Sequence, residues 1–241
     1  MIICLYVGVS ACFAKKVSYA LCRDSFEKTK LNKVKRIPKR GKYDKESIYS
    51  VLDEGLVCHV GFCTTDGPVV IPMAYGRDGD FLYLHGSTAS RLTKANKYDA
   101  PICCTVTLLD GLVVARSVFH HSMQYRSVVV FGTANEVTDE EERGHALRLI
   151  TNHIIRDRWE EARAPSPAEL KATRVLKVEI DSASLKQNDG GPNDDQSDLD
   201  DNKYWAGVLP IERSFGTPQE DPNNAPSVPC PPNIQNYSRR T

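Results

Sequence analysis

Between residues 56 and 137 the chain alternates apolar and polar positions in short runs, each closed by a turn signal. Leu56-Val57-Cys58-His59-Val60-Gly61-Phe62 and Val69-Val70-Ile71-Pro72-Met73-Ala74-Tyr75 flank Thr64-Thr65-Asp66-Gly67, and an Asp-Gly step between two such runs predicts a hairpin. A second turn, Gly76-Arg77-Asp78-Gly79-Asp80, leads into Phe81-Leu82-Tyr83-Leu84-His85. Residues 101–107, 112–117 and 127–137 read as three further strands, with Asp110-Gly111 as the turn between the first two. In 175–180, Leu176, Val178 and Ile180 share one face while Lys177 and Glu179 share the other. Six or more short antiparallel strands favour a closed or partly closed barrel, because closure removes exposed edges.

The helices expected around this barrel are few. Asp44 opens a short one through Ile48, Val51 and Leu52 that stops at Gly55. Thr138 with Glu141 three residues on predicts a capping box for a longer one carrying Leu147, Ile150 and Ile154. Ser166-Pro167-Ala168-Glu169 marks a third start. The fold class expected is mainly β (α+β), a barrel with peripheral helices.

Charge and cysteine narrow the picture. Lys plus Arg and Asp plus Glu both total 31, so no chain-wide field draws in nucleic acid or an acidic membrane. The eight cysteines contain no C-x-x-C pair and no His/Cys cluster at zinc spacing. No metal site is therefore expected, and Cys58, Cys103 and Cys104 read as small hydrophobes inside apolar strands. That usage suits a reducing, cytoplasmic compartment. Residues 2–14 form an apolar run shorter than the roughly 20 residues that span a bilayer. No stable membrane insertion is expected, and mitochondrial or secretory targeting by that run stays open. Residues 1–34 are taken as an extension, targeting or disordered, with a strongly basic stretch at 15–42. Residues 35–213 form the domain, and an acidic loop at about 187–202 is expected to be solvated. Residues 214–241, rich in Pro and Asn, read as a disordered tail.

Two segments carry the candidate chemistry. His85-Gly86-Ser87-Thr88-Ala89-Ser90-Arg91 ends a strand and precedes a short predicted helix at about 89–97. Phe119-His120-His121-Ser122-Met123-Gln124-Tyr125-Arg126-Ser127 leads into Val128-Val129-Val130-Phe131-Gly132. Both place hydroxyls, imidazoles and an arginine at the mouth of an apolar strand, which suits a phosphorylated aromatic ligand and points to a flavin. His120 and His121 are adjacent, so on a strand they face opposite sides.

These two segments, with Thr107-Leu108-Leu109-Asp110-Gly111-Leu112-Val113 and Trp205-Ala206-Gly207-Val208-Leu209-Pro210, resemble the pyridoxamine 5'-phosphate oxidase-like, or flavin-nucleotide-binding, split-barrel family over about residues 36–211. The resemblance implies a homodimeric split β-barrel with FMN at the subunit interface, and it includes nitroreductase-like relatives and haem or deazaflavin binders. It implies that the backbone at Ile71, Pro72 and Met73 runs beside the isoalloxazine ring. Ser127, with Tyr125 and Arg126 beside it, then contacts the flavin across the interface, and Trp205 lies near the flavin or the dimer seam. A phosphate monoester needs charge-assisted donors and favours a helix N-terminus. This assigns Ser90 and Arg91 to it, with Gly86 and Ser87 in the same loop and Lys94 as a possible second cation. His85 either donates to the ribityl chain or phosphate or simply caps its strand.

No catalytic side chain is assigned. The function expected is an FMN-dependent oxidoreductase acting on a small molecule, with a non-catalytic flavin- or haem-binding protein as the alternative. The Arg and His substrate pattern of true pyridoxamine 5'-phosphate oxidases is missing after Trp205, so vitamin B6 oxidation does not follow from the family name.

Overall fold

The computed structural model describes residues 24–92 and 101–239. The readings of residues 2–14 and of Lys94 lie outside them, as does most of the helix expected at 89–97, of which Arg91 and Leu92 are helical.

Ten strands share one sheet: β1 (Gly41–Lys42), β2 (Cys58–Thr64), β3 (Gly67–Met73), β4 (Tyr75–Asp78), β5 (Phe81–Ser87), β6 (Pro101–Val114), β7 (Ser122–Glu136), β8 (Thr173–Glu179), β9 (Ser182–Asn188) and β10 (Gly207–Pro210). The hydrogen-bonded order is β3-β2-β6-β7-β8-β5-β4. Only Ala74 separates β3 from β4, so the two ends of that path are one bent strand and the sheet closes on itself. The long hairpin β6–β7 is the spine. β6 pairs with β2 at residues 103–105 and with β10 at 111–114, while β7 pairs with β9 at 125–131 and with β8 at 134–136. Dividing two long strands among different neighbours splits the barrel. Gly132 stands where β7 passes from β9 to β8, and a Cβ there would lie 2.1 Å from the Glu179 carbonyl oxygen. The strand exchange needs a residue without a side chain.

Inside the barrel, Val60, Leu82, Leu84, Val106, Val128, Val178 and Leu185 form the core. α1 (Lys45–Glu54) plugs it with Ile48, Val51 and Leu52, each side chain worth about 1.5–3 kcal/mol when fully buried. The Asp44 carboxylate accepts from Ser47 N at 2.8 Å, and hydrogen bonding from Ser47, first from its side chain and then from its backbone, holds the Asp44 pKa below the usual carboxylate value. Gly55 ends the helix with φ −67°. It serves as a close approach, because a Cβ would stand 2.4 Å from Val106 Cγ1. α2 (Glu140–Ile154) packs Ala146, Leu147 and Ile150 over Tyr83, Val137 and Val175. Its cap is Asp139, which accepts from Glu142 N at 2.8 Å, one residue beyond the Thr138 expected. The shorter helices are α3 (Arg158–Glu161), α4 (Pro167–Ala172), which starts at Ser166 as expected and carries a Ser166–Glu169 capping box, α5 (Gln196–Asp201) and α6 (Pro232–Gln235). No helix among the described residues is long and apolar enough to cross a membrane.

Four expectations change. Asp110-Gly111 is a bulge inside the continuous strand β6, at the register shift between Leu109 and Gly111, where a turn was expected. Residues 24–34 belong to the domain: Phe26 is buried and pairs through its N–H with the Tyr43 carbonyl at 2.8 Å. The acidic loop contains α5 and is stapled to the barrel by Asp194, whose side chain is 1% exposed against Arg116. The chain after Ser214 follows a defined path in which Phe215 meets the Tyr237 ring edge-on. There Arg239 donates to the carbonyls of Asp53 (2.8 Å), Glu54 (3.1 Å), Gly55 (2.8 Å) and His153, so a cation closes the α1 C-terminus.

Candidate functional site

The first group of candidate residues gathers where β5 ends. Leu82 and Leu84 point into the core, and the strand delivers His85, Gly86 and Ser87 beyond it. A tight turn follows, in which Ser90 N donates to the Ser87 carbonyl at 2.9 Å, Ala89 N to Ser87 Oγ at 3.2 Å, and Thr88 N to the Ala172 carbonyl at 3.1 Å. Gly86 lies against Ser90 and the Met73 side chain of β3: a Cβ there would make ordinary contacts at 3.4 Å to Ser90 Oγ and 4.0 Å to Met73 Cε. Ser87 and Arg91 are exposed and Ser90 is half-buried. His85 is exposed as well, although neighbouring atoms strip enough water from its ring to pull its pKa below the usual histidine value.

β3 alternates strictly. Val69, Ile71 and Met73 pack against the core, and Pro68, Val70 and Pro72 face outward. Ile71 and Met73 therefore leave only their backbone for a ligand. Pro72 faces out on a strand that pairs along one side only, with β2, where a missing N–H costs no ladder bond.

The second group sits on β7. Tyr125 and Ser127 face outward, and Ser127 Oγ lies 2.9 Å from Thr107 Oγ1 on β6. Arg126 turns the other way. It donates to Glu54 through Nη1 and Nη2 (2.9 Å for Nη2) and to Asp110 through Nε (3.0 Å) and Nη2 (2.8 Å). Hydrogen bonds to Asp110 and then Glu54 push the guanidinium pKa well above its ordinary value. Arg126, expected at the flavin, locks α1 to the β6 bulge, so within this chain its donors are taken up by carboxylates. Trp205 is exposed beside Gly207 near the same end of the sheet. His120 turns from the β6–β7 connection to Asp195 at 3.2 Å.

One chain does not join the two groups. Pro72 and Ser127 stand on strands separated by β2 and β6, strands about 14 Å apart at roughly 4.8 Å per strand, and Pro72 is in register with Val129, two residues along from Ser127. Displaced from both along the strands, toward the β2–β3 turn, the outer face holds a cavity of about 580 Å³ lined by Gly61, Cys63, Val70, Cys103 and Phe131. Val70 is 64% exposed there. Residues 31–36 border the face on the β7 and β9 side, and sequence reading missed that placement although the lysines themselves were plain.

Comparison with known proteins places this arrangement. The family model described as pyridoxamine 5'-phosphate oxidase matches residues 44–187, from the α1 cap into β9. The chain belongs to this family. This pyridoxamine 5'-phosphate oxidase family member is similar to the flavocytochrome Anf3 from Azotobacter vinelandii. Identity is 39%, covering 86% of this chain and 95% of that one, with a TM-score of 0.81. It is similar at 38% identity to an FAD and haem binding protein from Mycobacterium smegmatis, over 81% of this chain and 95% of that one, with a TM-score of 0.76. A candidate 5-nitroimidazole antibiotic resistance protein from Bacteroides thetaiotaomicron is 28% identical over 59% of this chain and 83% of its own, with a TM-score of 0.52. Curated proteins give no match. The first two likenesses extend past the family model, as do the ordered arm and tail of this family member.

Proposed function

We propose that the protein is a flavin-dependent oxidoreductase that works as a homodimer and holds the FMN portion of its cofactor at the seam between two copies. The observation that carries this reading is the 39% identity, over 86% of the chain, to a flavocytochrome, together with the family match. The geometry supports it. Ser87, Ser90 and Arg91 of one copy offer hydroxyls and a guanidinium to the phosphate, and the backbone of Ile71, Pro72 and Met73 lies along the ring. Tyr125 and Ser127, three strands away in their own chain, reach the same ligand from the other copy. The exposed apolar strip at Val70, Cys63 and Phe131 is then covered by that copy. A bound flavin supplies hydride or electron transfer, while these residues bind it, orient it and keep water from the ring.

The test is the absorption spectrum of protein purified without added cofactor, followed by mass identification of what is released and by flavin titration. Flavin near one per subunit is expected, together with reduction by a nicotinamide donor and turnover of a pyridoxamine phosphate, nitroaromatic or quinone substrate. No uptake of any flavin refutes the binding reading. A bound flavin inert to every donor and acceptor refutes the oxidoreductase and leaves a carrier or sensor.

A second reading, haem beside flavin, is favoured by the two similar structures, both of haem proteins by their description. The outer face offers that group an apolar cavity lined by Cys103, which pairs with Gly61 and can ligate iron; His59, a second possible ligand, is exposed two residues along β2, opposite Thr105. A Soret band in the purified protein supports this reading, and a spectrum without one after haem titration refutes it.

A further inference from the structure

We propose that the basic arm at residues 33–42, together with Lys186, is a subsite for the adenosine diphosphate part of a dinucleotide that reaches the flavin beside Ser127. The inference rests on the flavin reading above and names the ligand class that the same site would receive.

The arm is held in place. Asn32 is 2% exposed; its Nδ2 donates to the carbonyls of Glu27 (2.8 Å) and Ala183 (3.3 Å), and its Oδ1 accepts from Thr29 N at 2.8 Å. Val34 N donates to Tyr43 Oη at 2.9 Å, and Gly41 pairs with Lys186 across β1 and β9. These anchors fix where the lysines leave the backbone. Lys33, Lys35, Arg36 and Lys186 line a groove of about 350 Å³ whose other wall holds Tyr125, Ser127 and Ser184. Lys39, Arg40 and Lys42 line the next hollow along the arm, with Asp189 as its carboxylate.

None of these seven cations makes an ion pair among the described residues, whereas Arg77, Arg116, Arg126, Arg163 and Lys177 each lie against a carboxylate. The chain as a whole is neutral, so this concentration of unpaired charge is local. A monophosphate at Ser90 and Arg91 does not use it. A diphosphate carries at least two negative charges and matches one guanidinium fork with flanking ammonium groups. Ser184 adds a hydroxyl, and Tyr125 and Ser127, given to the flavin above, mark where the groove meets the flavin. The ligand is an adenine dinucleotide, either a reduced nicotinamide dinucleotide as electron donor or FAD as the cofactor itself.

The probe is ADP, titrated calorimetrically into the full-length protein beside adenosine, for the wild type and for Lys35→Glu/Arg36→Glu. Both positions are exposed, and equal melting temperatures establish that the variant is folded. ADP is expected to bind while adenosine does not, and the double reversal is expected to weaken ADP at least tenfold, with added salt weakening the wild type. Failure of ADP to bind, equal binding of adenosine, or an unchanged ADP affinity in the variant overturns the proposal. The two sources then separate. A raised KM for NADPH in FMN-loaded variant protein marks the donor, and a fall of the FAD-to-FMN affinity ratio toward one marks the cofactor. Loss of neither overturns the assignment to this site. Because ADP needs no flavin, its binding is read independently of whether the flavin reading stands.

Discussion

Replacing Arg126 with alanine leaves Glu54 and Asp110 facing a space that no cation fills. In the folded protein four of the five guanidinium N–H groups bond these carboxylates, and side-chain exposure is 26% for Arg126, 30% for Glu54 and 35% for Asp110. A fully exposed pair contributes below about 1 kcal/mol, and removing one partner of a buried pair costs about 3–5 kcal/mol. A cluster one-quarter to one-third exposed falls between, at about 2 kcal/mol. In a domain of this size that corresponds to a melting temperature lower by about 4–8 °C. The assay is thermal and urea denaturation of the wild type, Arg126→Ala, and a variant that also carries Glu54→Gln and Asp110→Asn. Removing both orphaned charges should recover more than half of the loss. Arg126→Lys should recover less, since one ammonium group cannot bond two carboxylates in parallel. An alanine variant within about 0.5 kcal/mol of wild type, the range of an ordinary surface change, refutes the reasoning. So does one that melts normally yet loses flavin affinity, which would return Arg126 to the ligand.

Other expectations follow from single contacts. Arg91→Ala should weaken flavin binding by about 1.5–3 kcal/mol, the scale of a charge-assisted hydrogen bond, and an unchanged dissociation constant removes Arg91 from the phosphate. Gly132→Ala drives a methyl into the Glu179 carbonyl and should destabilise the fold by about 3 kcal/mol or more; a soluble variant that melts like wild type shows that β7 and β8 can separate there. Burial, and then the Arg239 guanidinium, lower the His153 pKa. As pH falls below about 6.5 the unfolded chain therefore takes up a proton that the folded chain refuses, and stability declines toward pH 5. His153→Gln should flatten that slope, and an unchanged slope assigns it to other groups. Arg239→Ala should open the segment after Ser214 to limited proteolysis, and equal cleavage rates would show that its carbonyl contacts do not hold the tail.

Features set by neighbours in sequence were legible. The Asp44 cap, the Asp66-Gly67 hairpin, the helix start at Ser166-Pro167 and the alternation at 175–180 each depend on a few consecutive residues, and all appear in the structure. The family was legible for the same reason, because its motifs are short and ordered. What the sequence did not determine turns on residues far apart. Asp110-Gly111 has turn chemistry, and the strand passes through it because Arg126 and Glu54 wait opposite. β9 and β10 escaped notice because Ser, Lys, Gln and Pro suggest coil, while backbone pairing to β7 and β6 makes them strands. The basic arm reads as a solvated run until Asn32 is seen bonded to Ala183, 151 residues away. Local propensity chooses caps and turns, where the partners of a hydrogen bond are within a few residues. Which arginine is consumed by carboxylates, and which lysines remain free beside Ser127, is decided only when the closed sheet brings distant segments within reach.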